Sequence, residues 1–198
     1  DIRSQARILA DGVEFDFLSE LADGRLAFDI YNQQIPSLHL TRLSISSSLL
    51  QENIETVAFD PRTLSALDFS VDRLFFDETL WGDLAFELRS QDSGAKFSNI
   101  NGDIFGLQLD GSPERDGANF YWGFDGKKYH SRLKGSVTTK NIGDLFSGFG
   151  LAPPVDSESG EVIFDLQWPD NPWRFSKQNL VGNFEIELSK GSFYNSSV

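Results

Sequence analysis

Apolar side chains return at every second position over most of this chain, and in four places a glycine leads the run. The four are Gly24-Arg-Leu-Ala-Phe-Asp-Ile30, Gly82-Asp-Leu-Ala-Phe-Glu-Leu88, Gly160-Glu-Val-Ile-Phe-Asp-Leu166 and Gly182-Asn-Phe-Glu-Ile-Glu-Leu188. A period of two sends neighbouring side chains to opposite sides of an extended backbone, so Phe184, Ile186 and Leu188 share one surface while Glu185 and Glu187 face water. The pattern predicts β-strands with one dry face, each opened by its glycine. Gly12-Val-Glu-Phe-Asp-Phe17 is a variant without the spacer, and Phe105, Leu107 and Leu109 form a further alternating set after Asn101-Gly102. Leu38 to Ile45 is echoed weakly by Leu67 to Phe75. The spacing between runs is uneven, which separates them from a solenoid of fixed period.

Turn chemistry lies between the runs: Ala22-Asp-Gly24, Asp92-Ser-Gly94, Asn101-Gly102, Asp110-Gly-Ser-Pro113, Arg115-Asp-Gly117 and Asp125-Gly126 all favour hairpin reversals, hence antiparallel neighbours. Longer loops are predicted at 110–117 and 152–160. In Leu166-Gln-Trp-Pro-Asp-Asn-Pro-Trp-Arg-Phe175 the alternation ends at Leu166, and neither Pro169 nor Pro172 can donate to a sheet ladder. That stretch reads as a corner with Asp170-Asn171 at its tip, braced by Trp168 and Trp173. One short helix is predicted over Asn141–Gly150, with apolar residues at 142, 145, 146 and 149, Asn141 as cap and Gly150 at its stop. The expected fold is therefore all-β, mainly antiparallel, with one short helix. A dry sheet face must be covered by a second sheet, by helices or by a ligand, which leaves a sandwich, a barrel or an open curved sheet.

Composition narrows the function more than the fold. Thirty acidic residues against 17 basic ones give a net charge of −13, which repels nucleic-acid phosphates and anionic headgroups over most of the surface. No nucleic-acid partner is expected. With 39% hydrophobic and 13% aromatic residues the chain is not a disordered one, and no window reaches the roughly 20 apolar residues of a membrane helix. The chain has no cysteine, so disulfides, thiolate metal sites and cysteine nucleophiles are excluded. It begins without methionine and reads as one β-rich segment, 1–198, cut from a longer chain.

Catalytic patterns are missing. There is no G-x-S-x-G elbow, no H-E-x-x-H, no Walker or dinucleotide-binding glycine pattern, and His39 and His130 are the two histidines. His39 alternates with Leu38 and Leu40 and reads as an outward strand residue; His130 reads as a surface residue. The acidic stretch 110–116 lacks the spacing of a calcium loop and reads as solvated turns. Asn195-Ser-Ser197 matches a glycosylation sequon. No enzymatic activity, metal or cofactor is expected.

An open dry face has a chemical use of its own. Each methylene of a lipid chain buried against Phe and Leu contributes about 0.8 kcal/mol, so a greasy groove can hold an acyl chain without any polar constellation. Two other readings fit the same aromatics: a carbohydrate-binding β-sandwich with Trp168 and Trp173 as a stacking platform, and a structural spacer with a closed core and no ligand.

The C-terminal half carries a resemblance. Tyr121-Trp122, Ser131-Arg-Leu-Lys-Gly-Ser-Val137, the stretch Asn141 to Gly150, Ser159 through Leu166-Gln-Trp-Pro-Asp-Asn-Pro-Trp173, and Leu180-Val-Gly-Asn-Phe-Glu-Ile-Glu-Leu-Ser-Lys-Gly-Ser-Phe193 follow in the order seen in the AsmA-like region of the bacterial YhdP family. Upstream, Asp60-Pro-Arg-Thr-Leu-Ser-Ala-Leu-Asp-Phe-Ser-Val-Asp-Arg-Leu74 and Leu80-Trp-Gly-Asp-Leu-Ala-Phe-Glu-Leu88 resemble the same family's preceding segment. The likeness is strongest over 60–193, and the Trp-Pro-x-x-Pro-Trp-x-Phe block is its most specific part. The family more often has Asp where this chain has Asn141, and either residue caps a helix.

The resemblance implies a curved, groove- or taco-like sheet with an apolar concave face, part of a long protein anchored in the inner membrane of Gram-negative bacteria and projecting through the periplasm. It implies transport of phospholipid toward the outer membrane and support of that membrane's permeability barrier. Phospholipid acyl chains and neighbouring segments of the same long chain would be the partners, with membrane contact only through parts outside this segment. Phe28, Phe86, Val162, Phe164, Leu166, Phe184, Ile186 and Leu188 are the expected groove residues, in the passive role of solvating acyl chains.

Overall fold

Among the described residues, alternation along the chain becomes twelve strands in one sheet. The computed structural model describes residues 2–32, 34–47, 59–109, 117–140, 155–176 and 178–193, with backbone alone for 155–158 and 189–193. The strands are β1 (Arg3–Ile8), β2 (Gly12–Leu18), β3 (Ala22–Asp29), β4 (Ser37–Ile45), β5 (Leu67–Phe76), β6 (Thr79–Gln91), β7 (Gly94–Ile104), β8 (Leu107–Leu109), β9 (Ala118–Phe124), β10 (Tyr129–Thr139), β11 (Val155–Trp168) and β12 (Val181–Phe193). Two 3₁₀ turns, Pro61–Thr63 and Pro172–Arg174, accompany them. The helix predicted over 141–150 falls outside the described residues, as do the acidic stretch 110–116 and the sequon at Asn195. Among the described residues no helix is long and apolar enough to cross a membrane.

Strand order follows chain order from β1 to β7, and β10, β11 and β12 close the sequence. Between β7 and β10 two short strands share one position. Leu107 to Leu109 pair with Ile104 to Gly102, and the same line resumes where Ala118 pairs with Ile100 and runs to Gly123 opposite Gly94. β8 and β9 thus follow one line along β7. Among the described residues every pairing is antiparallel except β4 with β5, where Leu38 lies beside Phe69 and Leu40 beside Val71. The two stretches that echo one another in sequence are thus parallel neighbours, and the sheet is a single curved one.

Several turns depart from expectation. Asp23 and Gly24 lie inside β3, because the chain has already reversed at Ser19–Ala22: the Ser19 amide donates to Ala22 O at 3.0 Å and to Asp23 Oδ1 at 3.1 Å. Asn101 and Gly102 lie inside β7, and the reversal falls at Phe105-Gly106, both at positive φ (55° and 74°). Phe105 is therefore a turn residue rather than the first of an alternating strand. A further reversal uses Asp77 at φ 52°.

The glycines of the repeat do not open strands either; Gly24, Gly82 and Gly160 are interior and Gly182 is the second residue of its strand. Each shares a face with the apolar residues two and four positions on, so it cuts a notch in the dry face. Gly82 (φ 136°) shows why no side chain fits, since a Cβ there would stand 1.7 Å from Asp103 O. The notches let larger groups meet across a strand. Phe17 pairs with Gly24, which pairs with Leu40; Leu74 pairs with Gly82, which pairs with Ile104. Leu40, Val71 and Leu74 form the buried core that results, with Phe17, Leu38, Phe69, Trp81, Leu84 and Ile104 packed on it.

Candidate functional site

Residues directly opposite in a sheet share a face, so the pairing registers decide where each alternating side chain goes. One row runs Phe15, Leu26, Leu38, Phe69, Phe86 across β2 to β6. A second runs Leu88, Phe97, Phe120, Leu133, Leu166 from β6 to β11. A third joins Val137, Val162 and Ile186, and beside it Phe164 faces Phe184. One face of the sheet is thus apolar from β2 to β12. All eight predicted groove residues lie on it, with Gly182 opposite Leu166 and Leu188 opposite Gly160. They are not one cluster: Phe28 is near one end of the strand order, Phe86 in the middle and the other six on β11 and β12. Phe86, Val162, Phe164, Leu166 and Leu188 are half-buried, whereas Phe184 is 70% and Ile186 47% exposed on the edge strand.

Phe69, Phe97, Phe120 and Trp122 belong to the same face and are absent from the expected groove set because none lies in the four repeated glycine-led runs. Alternation is the signal that could have found them. They build a file of rings: Phe69 stacks on Phe86 at 4.7 Å, Phe86 meets Phe97 at 5.3 Å, Phe97 meets Phe120 at 5.5 Å, and Phe120 meets Trp168 at 5.9 Å.

At the end of the sheet where β9 finishes and β10 begins, two segments fold over this face. The first, Phe59–Leu64, lays Phe59 on Trp122 (5.6 Å, stacked), buries Pro61 completely and holds the Arg62 guanidinium 5.0 Å from the Phe124 ring. The second is the corner Pro169–Phe175. Trp122 Nε1 donates to Asn171 Oδ1 at 3.1 Å, Trp168 Nε1 to Asn171 O at 3.1 Å, and Ser131 Oγ to Asp170 O at 2.9 Å. Trp173 meets Trp122 edge-on at 5.1 Å and Phe175 meets Trp168 edge-on at 5.5 Å. Trp122 is left 5% and Trp168 8% exposed. The corner forms as the prolines predict, with Asp170 and Asn171 at its tip, although β11 continues two residues beyond Leu166. A sugar-stacking platform is not formed, since one of its two indoles is buried, and one sheet takes the place of a sandwich.

The opposite face carries charge in cross-strand ladders. Arg7 and Arg25 flank Asp16, which accepts from Arg25 Nε at 2.7 Å and from Arg7. Arg132 grips Asp165 through Nε and Nη2 at 2.8 and 2.6 Å. His39 is an outward strand residue as expected, with Nδ1 2.9 Å from Ser70 Oγ and Nε2 3.4 Å from Asp72. His130 is exposed beside Tyr121. The Arg25 guanidinium holds Asp16 below the ordinary carboxylate value near 3.8, Arg42 does so for Asp23, and Arg132 for Asp165. A depressed folded-state value contributes stability above the unfolded pKa that disappears as pH falls through the folded one. The thermal midpoint is therefore expected to stay level from about pH 7 to about pH 5 and to drop below about pH 4, as read by circular dichroism melts across a buffer series. Among the described residues no group of three or more His, Asp or Glu is placed to hold a metal.

The described residues thus form one sheet with an apolar face, a charged face and two segments folded over the former. A family model described as YhdP protein matches residues 1–197, and the chain belongs to that family. The family is AsmA-like, of the lipid-transport type, and is not known as one of enzymes. No curated protein and no solved structure matches the chain.

Proposed function

We propose that this chain is a section of a hydrophobic β-groove that carries phospholipid acyl chains between the inner and outer membranes and so supports the outer-membrane barrier. The observation that carries the reading is the single apolar face that continues from strand to strand, from Phe15 on β2 to Phe184 and Ile186 on β12. Its notches support the reading: glycines on that face would relieve crowding in a sheet that curls toward its apolar side. Acyl chains lie along Phe28, Phe86, Val162, Phe164, Leu166, Phe184, Ile186 and Leu188 while headgroups stay wet. No group on the face needs to react. The setting is the periplasm, with anchorage by other parts of a longer protein, whose neighbouring segments extend the groove.

The test is site-specific photo-crosslinking in cells. Photoreactive residues at 164, 184 and 186 are expected to capture phospholipid, and those at Asp165 and Glu185, on the other face, are not. Equal capture from both sets, or none from either, rejects the groove; none from either, with a face sealed by another part of the protein, leaves the structural spacer.

A further inference from the structure

We propose that the corner Pro169–Phe175 is a gate, which lifts to admit an acyl chain to the aromatic file running from Phe69 to Trp168. This rests on the reading of the apolar face as an acyl-chain path.

Beside the corner three polar donors stand on that face, Ser131 and the indoles of Trp122 and Trp168, and one short segment satisfies all three. Ser131 lies between Trp122 and Trp168 in the pairing register, is 1% exposed, and donates to Asp170 O. Both neighbouring indole N–H groups donate to Asn171. The attachment is concentrated on two residues at the tip. The segment's apolar groups are committed less deeply, since Trp173 and Phe175 touch the indoles by their edges and keep 37% and 51% of their surface exposed. Three hydrogen bonds and two edge-on ring contacts join the corner to the face.

The tip is also strained. Asp170 has φ 152°, a backbone region open to glycine and disfavoured for any side chain, and such conformations persist only where their surroundings impose them. Ser131 and the Asp170 carboxylate, which accepts from the Asn171 amide at 2.7 Å, impose this one. Lifting the corner releases the strain, and that offsets part of the loss of its hydrogen bonds. Two arrangements close in free energy are what a gate requires. The corner also stands where an entrance would be useful, because the file of rings leads to Trp168 from one side, and exposed Phe184 and Ile186 lie on the other.

Two substitutions push the equilibrium in opposite directions. Asn171→Ala removes the acceptor of the Trp122 N–H and favours the lifted state; Asp170→Gly keeps the carbonyl that Ser131 uses, exchanges the half-exposed carboxylate's bond to the Asn171 amide for water, removes the strain and favours the closed one. Each is combined with a photoreactive residue at Phe97, in the file of rings behind the gate, or at Phe184, outside it. The protein is then illuminated with vesicles of phosphatidylethanolamine and phosphatidylglycerol. Lipid capture at 97 is expected to rise about fivefold to tenfold in Asn171→Ala, the shift that one lost hydrogen bond produces, and to fall below wild type in Asp170→Gly. Capture at 184 stays constant in both.

Unchanged capture at 97, or a change of the same sign in both variants, overturns the gate and makes the corner a fixed brace, while capture at 184 leaves the groove standing. Absence of capture at 97 and 184 in every variant overturns the groove and the gate with it. Should Asn171→Ala melt near the working temperature, Asp170→Gly decides alone: constant capture at 97 in that folded variant rejects the gate.

Discussion

Val71→Asp is expected to leave the protein unfolded. Val71 is 1% exposed and sits at the crossing of the apolar rows, with Leu40 beside it on the parallel strand and Leu84 on the antiparallel one. Its neighbours on that face are hydrocarbon, and Phe17, three strands away on one side, and Ile104, two strands away on the other, pack on the same cluster through the notches at Gly24 and Gly82. A carboxylate there has no partner, and an unpaired buried charge is among the few single changes that exceed about 4 kcal/mol. Native stabilities of roughly 5–15 kcal/mol leave little margin. Far-UV circular dichroism with a urea titration reads the outcome, and Val71→Ala is the control, which removes two methyl groups and retains the sheet. A cooperative Val71→Asp transition near the wild-type midpoint would mean that this face is far wetter than its packing indicates.

Trp122→Ala carries the second large effect. Trp122 is the common seat of both segments folded over the apolar face: Phe59 stacks on it, Trp173 abuts it, and Asn171 accepts from its indole nitrogen. Truncation of a buried Trp typically costs about 3–5 kcal/mol. Trp173→Ala, on a residue that makes one edge contact and is 37% exposed, is expected to cost about 1 kcal/mol. Urea midpoints followed by circular dichroism, which is insensitive to the loss of an indole fluorophore, separate the two; equal losses would place the seat of the corner elsewhere.

How far this molecule is legible in its sequence depends on how local each feature is. Which face a side chain takes is set by its own strand, so Phe164 against Asp165 and Phe184 against Glu185 can be sorted by parity alone. Turns are less legible. Ala22-Asp-Gly24 and Asn101-Gly102 have hairpin chemistry, yet each glycine serves an interior strand position, while Asp77 and Phe105 take up the positive φ that a turn dipeptide is expected to supply. The repeat glycines are plain in the sequence but their role is not, because a notch between facing strands and a strand opening leave the same mark in one dimension. The parallel pairing of β4 and β5 is a matter of non-local order, and periodicity contains no information about it. The same holds for the covering segments: Trp122 and Asn171 are 49 residues apart, and nothing in either neighbourhood announces the other. Prolines show that a corner forms after Trp168, but not that it lies across the apolar face.

The lone parallel junction bears on how the sheet assembles. On either side of it the strands form meanders, β1 to β4 and β5 onward, in which most pairings join neighbours in the chain through short reversals. Such pairings close small loops and form early, whereas Leu40 can find Val71 only after the 21 residues between Ile45 and Leu67 have been drawn around. Each meander can therefore be laid down on its own as the chain emerges, and their union at β4 and β5 is the late, slow event. Until it happens the edges of both halves stand open, which makes this seam the point where crowding or a misplaced neighbour would most readily derail biogenesis.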